Sequence, residues 1–431
     1  MKKVLVVSPH FPPINAPDMQ RVRLALPHLR GLGWEPTVLA IRPELVEGGV
    51  CDAMLETTYP RDVRVIRVGG LSARATRWAG LGSLWWRCGR AMTQAGERLF
   101  ATERFDLVFF STTQFDAFKL GPGWRRRFGV PFVVDYQDPW INDYYRQTRT
   151  RPPGGWLKFG LKQWAARRAE PAVLRAASGI ISVSDSYAQA LARHHPGFDA
   201  ARVRVLPFGA AGADFEALGN YRPAQPLIDF GDGLIHFVYA GRCGPDMKLA
   251  LTALFRAFQR FRASHPSEAA RMRFHFIGTG YAPPPLGEDV VLPIASAEGV
   301  GDAVREHRYR VPYFDALFYL KHASALLAIG SDDRTYSASK IFPCVLARRP
   351  MLLVFHRASL VTAFAEKAAV GVRTSFEGPA DLEPLADDIH RRWFVAGGYR
   401  DYTGFDEAAF APFTAEAMTR ELTTVFEAAT R

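Results

Sequence analysis

Cysteine is scarce. Cys51, Cys88, Cys243 and Cys344 are scattered, with no CxxC spacing. Such a pattern suggests neither a zinc site nor a disulfide framework, and it fits a reduced cytosol. No apolar run approaches the ~20 residues that span a bilayer. Any membrane attachment is therefore expected to be peripheral. Lys2-Lys3 lead only into Val4-Leu-Val-Val7, too short for a signal-peptide core, and a strand is expected there. The first βαβ pattern lacks GxGxxG, so a nicotinamide or flavin fold has no support. An Asp-x-Asp metal motif is missing as well; no metal and no cofactor are expected. Acidic residues number 43 against 54 Lys and Arg, a net charge of +11. That excess favours acidic partners: nucleotide phosphates, anionic lipid or nucleic acid. No RNA- or DNA-binding motif appears, so nucleic acid is not expected.

The chain has 431 residues, 48% of them hydrophobic, ample for two cores. Strands are expected at 4–7, 37–41, 63–68, 105–111, 130–135, 179–183 and 203–207, with helical patterns between most of them. Asp18 is placed to cap the first helix, where Val22, Ala25, Leu26 and Leu29 share a face. The segment 209–233 is rich in Gly, Ala and Pro and reads as a linker. The pattern then restarts at 235–241, 272–278, 290–293, 325–329, 351–355 and 371–373, and 413–429 reads as an amphipathic helix. Alternating strands and helices imply mostly parallel, doubly wound sheets. The expected division is 1–215 as a first domain, 216–233 as linker, 234–400 as a second domain and 401–431 as a C-terminal helix packing back on the first. Open sheets of this kind bind ligands beyond the carboxyl ends of their strands.

The chain turns on Tyr239-Ala-Gly-Arg-Cys-Gly-Pro-Asp-Met-Lys248. It follows an apolar run and precedes a helical pattern with Ala250, Leu254, Ala257, Phe258 and Phe261 on one face. Gly241 and Gly244 loosen the loop, Pro245 stops the strand and Asp246 is placed to cap the helix. Arg242 and Lys248 then stand at a strand end and a helix start, where free N–H groups and the helix dipole favour an anion. Two readings stand from spacing alone: a diphosphate site, or two solvated surface charges.

Several segments, in order, resemble the family 4 retaining glycosyltransferases of GT-B fold. Phe11-Pro-Pro13 is similar to the family's first-loop FPP, and Asp135-Tyr-Gln-Asp-Pro-Trp140 to the D-x-R-D-x-W of members that build bacterial surface polysaccharides. Ser182-Val-Ser-Asp-Ser186, Val205-Leu-Pro-Phe-Gly209 and Phe274-His-Phe-Ile-Gly-Thr-Gly280 match further segments. Gly241-Arg242 with Lys248 resembles the G-R-x5-K pair that holds the donor diphosphate. Ser339-Lys-Ile-Phe342 and Ala347-Arg-Arg-Pro-Met-Leu352 resemble S-K-L-F-E-Y-L-A-A-G-R-P-V-L. The departure is Pro343, where the family carries a Glu that clamps the ribose; the family's earlier Glu falls on Thr335. Asp332 or Asp333 would have to replace it, or donor binding differs.

The resemblance implies two Rossmann-like domains facing across a cleft and a hexosyltransferase-type enzyme, cytoplasmic or peripheral at the inner face of the plasma membrane. It would move a sugar with retention from a nucleotide-sugar donor to a glycan acceptor, lipid-linked in many relatives. Arg242 and Lys248 would stabilise the leaving diphosphate. Asp138 would contact the donor sugar or the anomeric carbon; a turn Asp before Pro139 is the plainer reading. His10 would serve the acceptor side, or is simply a satisfied loop histidine. Arg21 and Arg23 would meet an acidic acceptor, or form a solvated face. Ser339 and Lys340 would meet a phosphate or sugar, and Gly241, Gly278 and Gly280 allow close backbone approach. Residues 74–90 and 149–175 mix Trp with Arg and Lys, which suits an anionic membrane surface or ordinary packing of Trp. Two other functions compete: transfer to a soluble small molecule or protein, and a catalytically silent binding scaffold.

Overall fold

The computed structural model describes all residues except 48, 77–81, 148–151, 153, 281–285 and 333–340. The chain divides into two compact units. Unit 1 comprises Met1–Gly209 with Ala415–Arg431, and unit 2 comprises Ala210–Thr414.

The strands of unit 1 are β1 (Lys2–Val7), β2 (Ile14–Asn15), β3 (Trp34–Ile41), β4 (Val50–Cys51), β5 (Arg64–Val68), β6 (Leu107–Ser111), β7 (Phe132–Tyr136), β8 (Gly179–Ser182) and β9 (Val203–Val205). Apart from the small β2–β4 ribbon they form one parallel sheet, ordered β5-β3-β1-β6-β7-β8-β9. Helices cover both faces, so the central strands are buried throughout rather than alternating; every residue of β6 and β7 is buried, and apolar until their polar carboxyl ends at Ser111 and Asp135. The helix Ala415–Ala429 packs on the helix Gln20–Leu29. Its Phe426 meets the rings of Trp34 and Phe109 at 5.2 and 5.0 Å. Burying one such Phe is worth roughly 2–3 kcal/mol.

Unit 2 holds β10 (Ile235–Ala240), β11 (Met272–Ile277), β12 (Val304–His307), β13 (Ala325–Ile329), β14 (Met351–His356) and β15 (Val372–Phe376), ordered β12-β11-β10-β13-β14-β15. Its core sits between β10, β11 and the helix Lys248–Ser264, whose Ala250, Leu254, Ala257, Phe258 and Phe261 are all buried. In each sheet the order reverses direction at one place. In unit 1 it lies between β1 and β6, in unit 2 between β10 and β13. Loops leaving neighbouring strands diverge there and open a crevice.

Four expectations need correction. Residues 290–293 do not form a strand; Val291–Ala297 is a helix. The cause is remote in sequence. The Glu306 carboxylate, on β12, accepts the N–H groups of Val290, Val291 and Leu292 at 2.8–3.1 Å and so holds the helix start. The β12 strand itself escaped the sequence reading because Val304-Arg-Glu-His307 carries one aliphatic residue, as an edge strand can. The supposed linker contains a helix, Gly212–Leu218, tied into unit 2 by Tyr313 Oη donating to Asp214 at 2.6 Å. Neither Asp18 nor Asp246 caps a helix through its side chain; both carboxylates are engaged elsewhere, as follows.

Candidate functional site

In unit 1 the crevice between β1 and β6 is lined by a polar cluster. Asp18, 2% exposed, accepts from Thr112 Oγ1 at 2.9 Å, from the Thr113 N–H at 3.0 Å and from Thr113 Oγ1 at 3.1 Å. Its two oxygens also lie 2.9 and 3.0 Å from His10 Nδ1. These bonds fix the ring so that Nδ1 points inward and Nε2 outward, with no partner for Nε2 among the described residues. Burial disfavours charge on His10, but the Asp18 carboxylate outweighs it and raises the imidazole pKa above its ordinary value. Burial also pushes Asp18 upward; His10 and the threonine bonds win and lower it.

Behind this pair lies a second knot. Arg21 Nε donates to Asp135 Oδ2 at 2.7 Å, and its Nη groups donate to the carbonyls of Leu206 and Pro207. Ser111 Oγ and Gln137 Nε2 donate to the same Asp135 oxygen at 2.9 and 3.0 Å. Both charged side chains are wholly buried. Arg21 is thus a strut beneath the crevice floor, not a surface group awaiting an acceptor, and Asp135 is structural. Arg23 is likewise buried, its guanidinium on Gln20 Oε1 at 2.8 and 2.9 Å.

Asp138 follows β7 and is exposed at the same carboxyl edge. Partial desolvation raises its carboxyl above the ordinary value; the Tyr187 hydroxyl, a long 3.4 Å from Oδ1, opposes the rise and the Asp18 charge adds to it. Desolvation and the Asp138 charge in turn push Tyr187 up to about 12.

In unit 2 the crevice between β10 and β13 carries the cationic pair. The Gly241 N–H donates to the Ile277 carbonyl at 2.8 Å. Tyr239 Oη donates to the Arg242 carbonyl at 2.6 Å. The Arg242 guanidinium meets both oxygens of Asp246 at 2.9–3.2 Å, a bidentate fork. Lys248 opens the helix Lys248–Ser264. It is exposed, with no hydrogen-bond or ion-pair partner among the described residues. Across the crevice, the Asp332 N–H after β13 donates to the Asp246 carbonyl at 2.8 Å. Gly278 has φ +72°, a left-handed conformation that explains its glycine directly. Thr279 next to it donates to Glu306 at 2.7 Å. Pro343 lies in the helix Ile341–Leu346 and offers no side-chain acceptor. Ser339 and Lys340, with Thr335 and Asp333, lie outside the described residues. A cavity of about 330 Å³ along β14 and β15 is lined by Arg357, Arg373, Asp388 and Arg392, and by none of the candidate residues.

The structure therefore brings His10 together with Asp18, Thr112 and Thr113 in unit 1, and Gly241, Arg242 and Lys248 together in unit 2. Sequence reasoning missed the role of Asp18 and the two threonines. The signal was Ser111-Thr-Thr113, polar residues closing an apolar strand. It also missed that Arg242 already has a carboxylate partner four residues on.

With two Rossmann-like domains in succession, each with its crevice at the carboxyl edge of a parallel sheet, the fold is GT-B. Residues 20–209 match the model of the glycosyl transferase 4-like domain. HepE from Anabaena, in complex with UDP and glucose, is 14% identical at a TM-score of 0.58, covering 99% of this chain and 100% of that one. A UDP-forming α,α-trehalose-phosphate synthase from Burkholderia xenovorans, in complex with glucose-6-phosphate, is 12% identical at 0.60, covering 98% and 100%. The N-terminal domain of a Candida albicans trehalose-6-phosphate phosphatase is 12% identical at 0.57, covering 99% and 97%. No curated protein sequence matches the chain.

Proposed function

We propose that the protein is a nucleotide-sugar-dependent hexosyltransferase that works with retention on a glycan acceptor, lipid-linked, in cell-surface polysaccharide synthesis at the inner face of the membrane. The observation that carries this reading is the placement of Arg242 and Lys248 at the carboxyl end of β10, beside the start of a 17-residue helix. In glycosyl transfer the bond between the anomeric carbon and a phosphate oxygen breaks. Positive charge grows on the sugar and negative charge on the departing diphosphate. Arg242, Lys248 and the helix N-terminus together supply fixed positive potential for that diphosphate. Asp246 keeps the Arg242 fork oriented until phosphate oxygens compete for it. In unit 1, Asp138 serves the donor sugar as a hydroxyl acceptor, and His10, with Nε2 outward, serves the acceptor side. The match over residues 20–209 and the neighbour crystallised with UDP and glucose support this reading.

Thermal-shift measurements against UDP-, GDP-, dTDP- and CMP-sugars test it. One nucleotide class is expected to raise Tm, since binding to the native state stabilises it. The double substitution R242A/K248A is expected to weaken that binding at least about a hundredfold, because two charge-assisted contacts are lost. Unchanged affinity and turnover in the double variant would remove the reading. Pro343, in place of a ribose-binding carboxylate, favours a second reading as a silent scaffold. Nucleotide binding without transfer to any glycan would establish that one.

A further inference from the structure

The helix Gly155–Ala176 carries two stripes on opposite sides. Phe159, Gln163, Ala166, Glu170 and Val173 are buried against unit 1. On the other side Leu157, Leu161, Trp164 and Arg168 recur at i, i+4, i+7 and i+11, one above another. Leu157 is 82% exposed, Leu161 61% and Trp164 56%, with Trp156 at 46% beside them. Scattered exposed apolar residues are ordinary; a contiguous run of large ones along one helix marks a surface that something covers. Cations flank the run. Lys158, Lys162, Arg167 and Arg168 are all exposed, and the Arg168 guanidinium lies 4.2 Å over the Trp164 ring. No acidic residue occurs between Asp143 and Glu170. Glu170 is buried against His195, and Asp143 is taken up by Arg167 and His194.

We infer that the outward stripe of the helix Gly155–Ala176 seats on an anionic lipid bilayer. Leu157, Leu161 and Trp164 enter the boundary between headgroups and acyl chains, while Lys158, Lys162 and Arg168 meet lipid phosphates. Tryptophan and leucine on one helix face between lysines and arginines suit that boundary. Charge decides against a second copy of the chain, because two such faces would set lysine against lysine with no carboxylate between them. The inference deepens the proposed reaction by bringing the enzyme to a lipid-linked acceptor. It rests on that reading for its purpose, not for the binding itself.

Sedimentation of the full chain with vesicles at low salt tests it without nucleotide. Vesicles of equimolar phosphatidylcholine and phosphatidylglycerol are expected to pellet the protein at least about tenfold more strongly than phosphatidylcholine alone. L157E/L161E is expected to lose about tenfold or more of that binding, and K158E/K162E a similar amount. Both variants should keep the nucleotide-induced Tm shift, which shows them folded. Three results would overturn the inference: no pelleting of the wild type, undiminished pelleting of L157E/L161E, or an oligomer in size exclusion that L157E/L161E dissolves. Intact vesicle binding without transfer to a water-soluble glycan fragment sinks the enzymatic reading and leaves the docking surface standing.

Discussion

Arg21 and Asp135 form a salt bridge at 2.7 Å in which neither side chain reaches solvent. It ties the helix Gln20–Leu29 to the end of β7 and, through Leu206 and Pro207, to the stretch after β9 where the chain leaves unit 1 for unit 2. Breaking one side leaves a bare buried charge. R21M is expected to cost about 3–5 kcal/mol in urea unfolding, and the double variant R21M/D135L to recover part of that. Equal stability of R21M and wild type would show that the pair is not structural.

The His10–Asp18 pair has a defined pH window. The folded His10 pKa is raised above 6.5 and that of Asp18 is lowered below 3.8. The His10 contribution is complete below 6.5 and is lost as pH rises through its folded value. The Asp18 contribution is complete above 3.8 and is lost as pH falls through its own. The pair therefore stabilises most between these limits. D18N is expected to lower the His10 pKa toward or below 6.5 in an NMR titration of the imidazole signals.

His275 titrates in the opposite sense to His10. Burial first, then His236, His307 and Arg305, depress it to about 3 from 6.5. Its ring sits 3.0 Å from His236 Nδ1 inside the unit 2 sheet. An unfolded chain takes the proton near 6.5 and the folded one does not, so stability is lost as pH falls below 6.5. H275F should remove this liability. Its loss of stability between pH 7 and pH 4.5, from urea midpoints, is expected to be about 2 kcal/mol smaller than that of wild type.

Asp246 competes with any anion for Arg242. On the proposed reading, D246N is expected to tighten binding of whichever nucleotide raises Tm about threefold to tenfold in calorimetry at low salt, because the guanidinium fork loses an internal charged partner. Weaker binding would mean that Asp246 chiefly holds Arg242 in place.

Glu306 accepts from the first N–H groups of the helix Val291–Ala297 and also from Thr279 Oγ1. E306A is expected to destabilise unit 2 by about 2–3 kcal/mol. Amide exchange should speed up at Val290, Val291 and Leu292 more than at β10.

All strands of both sheets except the edge strand β12 were legible, because helices cover both faces and force runs such as Leu107-Val-Phe-Phe110 and Ala325-Leu-Leu-Ala-Ile329. Arg242 and Lys248 were legible because a strand end, a glycine and a helix start are local signals. What escaped depends on groups far apart in the chain. Glu306 makes a helix out of Val291–Ala297, and Thr112 and Thr113 draw Asp18 away from the helix that follows it. Burial of a charge is equally invisible: Arg21 and Lys248 look alike in sequence, yet one is a sealed strut and the other is exposed.

Unit 1 is finished by residues that come after all of unit 2. Strand pairing of Ala210 with Thr414 closes the inserted unit at its own two ends. During synthesis, unit 2 can assemble from a continuous stretch while unit 1 still lacks Ala415–Arg431. Until that segment leaves the ribosome, Trp34 and Phe109 have no Phe426 to close over them. Unit 1 starts before unit 2 and is completed after it, and a nascent chain stalled ahead of Ala415 would display a raw aromatic seam for chaperones.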